Sequence, residues 1–271
     1  MTAYADFFRR SIDQPDAFWR EQAGLIDWET PFTEVCDYRQ PPFAKWFVGG
    51  RTNLCHNAVD RHAAARPDAP ALIWVSTEVN QEVVYSFAQL KTEVMRMAAV
   101  LQSLGVKQGD RVLIYMPMTA EAAFAMLACT RIGALHSVVF GGFASHSLAT
   151  RIDDAEPTVI VSSDAGSRGG KVVPYKPLLD EAITLARHKP ARVLMVDRGL
   201  AQFERVAGRD ADYGAARAIQ PSRSAVCVAG VQRAQLHALH LGHHRQAQGR
   251  AARHRRLRGG AGGVDEAHLP G

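Results

Sequence analysis

Cysteine is scarce in this chain of 271 residues, and Cys36, Cys55, Cys129 and Cys227 stand at no paired spacing. That excludes a disulfide framework and fits a reducing, cytoplasmic setting. Long hydrophobic runs are missing too: no apolar stretch approaches the roughly 20 residues of a membrane span. Met1 to Trp19 mixes polar and apolar residues without an apolar h-region, so neither a secretory leader nor a membrane partner is expected. What is present, 47% hydrophobic and 22% charged residues, suits a soluble globular protein able to bury a core.

The sharpest absences lie in the last fifth. Residues 221–271 contain no Phe, Trp, Tyr, Ile, Met or Lys, yet hold eight Arg, six of the eleven His and only Asp265 and Glu266 as acids. This stretch therefore carries +6, and residues 1–220 carry −1 of the net +5. The basic character, which normally suggests an anionic partner, belongs wholly to the end of the chain.

Residues 1–50 are rich in aromatics and proline, with Phe18, Trp19, Trp28, Phe32, Trp46 and Phe47 among Pro15, Pro31, Pro41 and Pro42. They predict an extended arm with short helices, packed across a larger body by aromatic anchors. Nucleic-acid binding by this arm is disfavoured because its acids offset its bases. From Asn53, a helix cap, strand and helix signals alternate. Strands are predicted at Ala71–Val75, Val83–Tyr85, Arg111–Tyr115, Ser137–Phe140, Thr158–Ser162 and Arg192–Val196. Helices are predicted from Asn53 to about Ala65, Ser86 to Leu104, Thr119 to Ile132, about Ser145 to Ala155, and Tyr175 to His188. Ser86 with Gln89 forms a capping box, and Gly105 is the stop. Such alternation implies an α/β fold with a doubly wound parallel sheet. Its chemistry belongs at the carboxyl ends of strands, in the loops after Tyr115, Phe140 and Ser162.

Two of these loops have suggestive composition. Phe140-Gly141-Gly142-Phe143 lets a ligand approach backbone amides between aromatic walls, although a tight turn needs the same glycines. Ser163-Asp164-Ala165-Gly166-Ser167-Arg168-Gly169-Gly170-Lys171 mixes glycines with two cations, as phosphate-holding loops do. It matches neither Gly-x-Gly-x-x-Gly nor a Walker motif, and a flexible, solvated loop is the competing reading.

The segments Ile114-Tyr115-Met116-Pro117-Met118, Ala128-Cys129-Thr130-Arg131-Ile132-Gly133-Ala134, His136 to Phe143, and Arg151-Ile152-Asp153-Asp154-Ala155 resemble the amino-terminal part of AMP-forming short-chain acyl-CoA synthetases. Phe143 to Ser147 and Asp164 to Lys171 are closer to the propionate–CoA ligases than to the acetate–CoA ligases. The resemblance runs from about Tyr4 to about Arg217. It implies the incomplete doubly wound sheet of an adenylate-forming amino-terminal domain, and a reaction in which ATP and a short-chain carboxylate form an acyl-adenylate that coenzyme A then attacks. It places the counterparts of Gly142, Arg168, Gly169, Gly170 and Lys171 along the coenzyme A path. ATP with Mg, coenzyme A and the carboxylate are thus the expected small-molecule partners.

The family also carries a phosphate-cradling loop, Thr-Ser-Gly-Thr-Thr-Gly-Lys-Pro-Lys-Gly, shortly after this point. Here Leu241-Gly242-His243-His244-Arg245-Gln246-Ala247-Gln248-Gly249 stands instead, without a hydroxyl or a lysine. Written in GC-rich codons, Ser-Gly-Thr-Thr-Gly-Lys-Pro-Lys-Gly is TCG GGC ACC ACC GGC AAG CCC AAG GGC. Preceded by C and read one nucleotide early, it gives CTC GGG CAC CAC CGG CAA GCC CAA GGG, which encodes residues 241–249 in full. We therefore expect a single-nucleotide frameshift between about Arg217 and Ala225.

The expected organisation is an aromatic arm over 1–52, a partial synthetase α/β domain over 53–217 and a disordered, basic, out-of-frame tail over 218–271. No catalytic residue and no metal ligand is assigned. The expected function is that of a ligase fragment, inactive for want of the ATP loop and of later pocket and carboxy-terminal segments. A non-catalytic module retaining a coenzyme A or nucleotide phosphate site is the alternative. A metal site at His237, His240, His243 and His244, or nucleic-acid binding by Arg250 to Arg258, is the third reading. Out-of-frame codons would make both incidental, so no specific nucleic-acid partner is expected.

Overall fold

The computed structural model describes residues 3–220, 226–227 and 229–230. The arm comprises α1 (Ala3–Asp13), α2 (Pro15–Gln22), and the strands β1 (Glu34–Gln40), β2 (Phe43–Val48) and β3 (Arg51–Thr52). β1 and β2 pair antiparallel as a hairpin, so the arm is less extended than its proline content suggested. Its rings pack on one another: Trp28, Phe32 and Phe47 form a triangle with centroids 5.0–5.5 Å apart, and Trp19 meets Phe18 and Trp46 edge-on. Polar contacts tie the arm to the body. Asp27 accepts from Arg61 at 3.2 Å and pairs with His56 at 3.2 Å, while its backbone N–H donates to Asn57.

Asn53 caps the next helix, its Oδ1 accepting from the His56 amide at 3.0 Å. A π turn at His56–Asp60 leads into α3 (Arg61–Ala65). β4 (Pro70–Ser76) and β5 (Gln81–Ser86) pair only with each other, outside the parallel sheet. α4 (Phe87–Ser103) starts at the Ser86 capping box, with both reciprocal hydrogen bonds formed. Ser86→Ala is expected to cost about 1 kcal/mol, read as a lower urea midpoint at unchanged m-value.

The remaining elements alternate: β6 (Arg111–Met116), α5 (Ala120–Ile132), β7 (Leu135–Phe140), α6 (Ser145–Ala155) and β8 (Val159–Ser163). Then come β9 (Ala165–Arg168), β10 (Lys171–Pro174), α7 (Tyr175–Leu185), β11 (Arg192–Val196), β12 (Asp210–Asp212) and α8 (Tyr213–Ile219), with β13 (Ala229–Gly230) pairing to β3. β12-β11-β8-β6-β7 form one sheet, parallel throughout. Side-chain alternation along its strands sorts the core into two layers. Val112, Ile114, Val161 and Leu194 pack with α4 and α5, whereas Leu113, Tyr115, Ile160 and Met195 pack with α6 and α7. Burial of both faces explains why the strands read as near-continuous apolar runs.

Burial also protects two thiols. Cys55 and Cys129 are fully buried, and removal from water pushes them up to about 11 and about 12 respectively. A native thiol-reagent titration is expected to label only Cys36 and Cys227, both partly exposed, until denaturant releases the others.

Candidate functional site

The sheet order puts β6 between β7 and β8. The chain leaves β6 toward β7 on one side and reaches β8 on the other, so the topological switch point of the sheet lies here. The two loops singled out in the sequence leave the two strands that flank β6. Topology alone therefore brings residues about 140 and about 165 to the same end of the sheet.

Tyr175, at the start of α7, joins them. A Cβ on Gly141 or on Gly166 would come within 2.2 Å of the Tyr175 hydroxyl oxygen, so both loops need glycine for the phenol to lie between them. Tyr115, at the end of β6, stacks tilted on Tyr175 with centroids 5.1 Å apart. Its hydroxyl donates to the Phe143 carbonyl and accepts from the Gly142 amide, each at 3.2 Å. Burial pushes the Tyr115 phenol up to about 12 and raises that of Tyr175. Gly142 has φ +85°, and its N–H is spent on Tyr115 rather than open to a ligand. Phe140 and Phe143, edge-to-face at 6.2 Å, stand exposed beside it, with Arg151 5.6 Å from the Phe143 ring.

The second loop differs from its predicted form. Residues 165–174 are an antiparallel hairpin in which Arg168 faces Lys171 across Gly169 and Gly170. Both central glycines have positive φ, +58° and +76°, the requirement of a type I′ turn. A Cβ at either would meet nothing within 4 Å, so their conformation rather than crowding calls for glycine. The hairpin base is anchored. Asp164, fully buried, accepts from the amides of Arg198, Leu200 and Ala201. Arg198 donates to the Ala165 carbonyl and pairs with Glu78, and Glu78 accepts from the Ser167 amide at 2.7 Å.

The hairpin tip is different in kind. Arg168 and Lys171 are exposed and, among the described residues, neither side chain makes a hydrogen bond or ion pair. Like charges directly opposite on paired strands repel. Two such cations on a rigid, anchored tip can take an anion bidentately, with Arg supplying a fork and Lys a point charge. The structure thus brings Gly142, Arg168, Gly169, Gly170 and Lys171 to one end of the sheet. Tyr175, Arg198 and Glu78, which help hold them there, had no signal in the sequence, and Tyr115 and Asp164 had only their positions at the ends of strands. Among the described residues no group of His, Cys, Asp or Glu could hold a metal ion; His237, His240, His243 and His244, like residues 241–249, lie outside the described residues.

The family model described as AMP-binding enzyme matches residues 59–229, more than half of the chain. The chain belongs to the AMP-binding enzymes. The model for the acetyl-coenzyme A synthetase N-terminus matches residues 4–58 of this AMP-binding enzyme chain. Over 215 residues it is 60% identical to a propionate–CoA ligase of Escherichia coli, covering 79% of this chain and 34% of that protein. It is 42% identical over 212 residues to the mitochondrial acyl-CoA synthetase short-chain family member 3 of Rattus norvegicus, 78% of this chain and 31% of the relative. Acetoacetyl-CoA synthetase from Streptomyces lividans superposes with a TM-score of 0.76 at 28% identity, over 86% of this chain and 35% of that one. The chain therefore spans about a third of the length of the curated relatives it matches. No helix among the described residues is long and apolar enough to cross a membrane.

Proposed function

We propose that residues 1–52 and 53–217 are the arm and partial α/β domain of a short-chain acyl-CoA ligase of the propionate-activating kind. In this reading Arg168 and Lys171 hold phosphate groups of coenzyme A, and Gly169, Gly170 and Gly142 keep the approach open. The single observation that carries it is the facing, unpaired cation pair on an anchored hairpin tip beside the switch point. Identity to propionate–CoA ligase supports the choice of acid, and the family reaction supplies ATP and the carboxylate as the other substrates.

The same reading makes this chain catalytically silent. Residues 241–249, where the ligases carry hydroxyls and lysines for the ATP phosphates, have none, and 218–271 reads as translation in a neighbouring frame. The chain then retains coenzyme A contacts without adenylation chemistry.

Calorimetric titration of coenzyme A into the purified chain at low salt tests this. Saturable binding is expected, weakened about tenfold by Arg168→Ala and by Lys171→Ala and reduced by added salt. Absence of binding by the unmodified chain, or equal binding by the Arg168→Ala and Lys171→Ala variants, would refute it.

A further inference from the structure

One polar group is left over where the two loops converge. Tyr175 is only 4% exposed, and among the described residues its hydroxyl has no hydrogen-bond partner. Unlike the sealed hydroxyl of Tyr213, it keeps contact with solvent. The polar groups around it are already committed. The Gly142 amide donates to Tyr115. Glu78 and Arg198, whose charges act on this phenol, pair with each other and hold the Ser167 amide and the Ala165 carbonyl.

The two loops fix where this hydroxyl lies. Its oxygen is 2.2 Å from where a Cβ would stand on Gly141, and 2.2 Å from where one would stand on Gly166. It therefore sits between the loops with a residue lacking a side chain on each flank, which lets a ligand lying across them come within hydrogen-bond reach. The ring itself is held, tilted on Tyr115 at 5.1 Å, and the Tyr175 amide donates to the Asp164 carbonyl at 2.9 Å. Gly166 stands two residues before Arg168 on β9, roughly 7 Å along the strand, so one extended ligand can meet both the cation pair and the phenol. A hydroxyl this nearly buried, rigidly presented and unsatisfied by the protein calls for a partner outside the chain.

A phenol hydroxyl both donates and accepts and brings no charge, so it supplies direction where Arg168 and Lys171 supply charge. We propose that the Tyr175 hydroxyl is a further binding group of this site, hydrogen-bonded to an uncharged polar group of coenzyme A while Arg168 and Lys171 hold phosphate. This rests on the coenzyme A reading and adds to it a residue on a separate element, α7. Both halves of coenzyme A carry uncharged polar groups: the base and ribose of the adenosine half, and the amides and hydroxyl of the pantetheine half.

Calorimetric titration of coenzyme A into the full 271-residue chain and its Tyr175→Phe variant is the test. The variant keeps the ring stacked on Tyr115, so its thermal midpoint should be unchanged, while coenzyme A binding should weaken about fivefold, the size of one neutral hydrogen bond. Adenosine 3′,5′-bisphosphate and 4′-phosphopantetheine locate the contact, because only the half that meets the hydroxyl should lose affinity. Arg168→Ala should weaken coenzyme A by the same factor with and without Tyr175→Phe, since the hydroxyl acts on the ligand and not through the hairpin. No binding of coenzyme A by the unmodified chain would remove the phosphate reading and this proposal together. Unchanged coenzyme A affinity in Tyr175→Phe, an equal loss for both halves, or an Arg168→Ala effect that shrinks in its background would overturn this proposal alone.

Discussion

Propionate-dependent exchange of labelled pyrophosphate into ATP by the 271-residue chain is expected to stay at the uncatalysed background. Adenylation develops negative charge on the phosphates in its transition state, and losing even one preorganised donor from such a cradle costs about 10²–10³ in rate. Replacing the whole loop by Leu241 to Gly249 removes every hydroxyl and lysine at once, so a deficit of at least about 10⁴ follows from that principle. The proposed reading of 218–271 as translation in a neighbouring frame makes the converse prediction. Correcting one nucleotide between about Arg217 and Ala225 and reading on through the gene should restore exchange. Genomic sequence that encodes residues 217–249 in frame with the relatives' order would remove the explanation, and turnover by the unmodified chain would remove the claim of silence.

Arg131→Met is expected to destabilise the domain by about 3–5 kcal/mol, the range for removing one member of a buried ion pair. The Arg131 side chain is 5% exposed and that of Asp60 10%, and they meet at 2.7 Å. Arg131 closes α5, and Asp60 ends the π turn that follows Asn53. The pair therefore joins the segment after the arm to the parallel sheet's first helix. With Arg131 gone, the Asp60 carboxylate keeps Lys91, at 3.4 Å, and the weak thiol donor of Cys55, at 3.9 Å. Adding Asp60→Asn to Arg131→Met should recover part of the loss, because the uncompensated charge is removed. Urea unfolding followed by circular dichroism measures both. A loss below about 1 kcal/mol, the value of a surface pair, would show that the pair is hydrated.

Much of the fold was legible because its signals are local. Ser86 and Gln89 stand three residues apart and cap α4 by direct contact; Thr119 caps α5 in the same way. The strands β6, β8 and β11 declare themselves as apolar runs because both their faces are buried. Short, exposed elements were harder. β9 and β10 have four residues each, and a flexible loop was an open reading, although Gly169-Gly170 is itself a two-residue hairpin signal. β12 and α8, with three and seven residues, are too short for a period to show. The arm's aromatics announced burial but not which rings meet, and Trp28, Phe32 and Phe47 pack on one another.

The candidate site divides in the same way. Arg168, Lys171 and the glycines could be named from the sequence because residue type and a position after a strand suffice. The insertion of Tyr175 between Gly141 and Gly166, and the use of the Gly142 amide by Tyr115, depend on segments brought together by strand order. By itself the sequence determined the α/β class, the strands and caps, the two cations and the absence of hydroxyls and lysine from residues 241–249, all properties of residue type and near neighbours. The tertiary structure alone decided that the two loops converge, that Tyr175 lies between them, and that the hairpin base is anchored through Asp164 and Arg198. Those properties depend on which strand lies beside β6, a choice made by burial of both sheet faces rather than by any local run of residues.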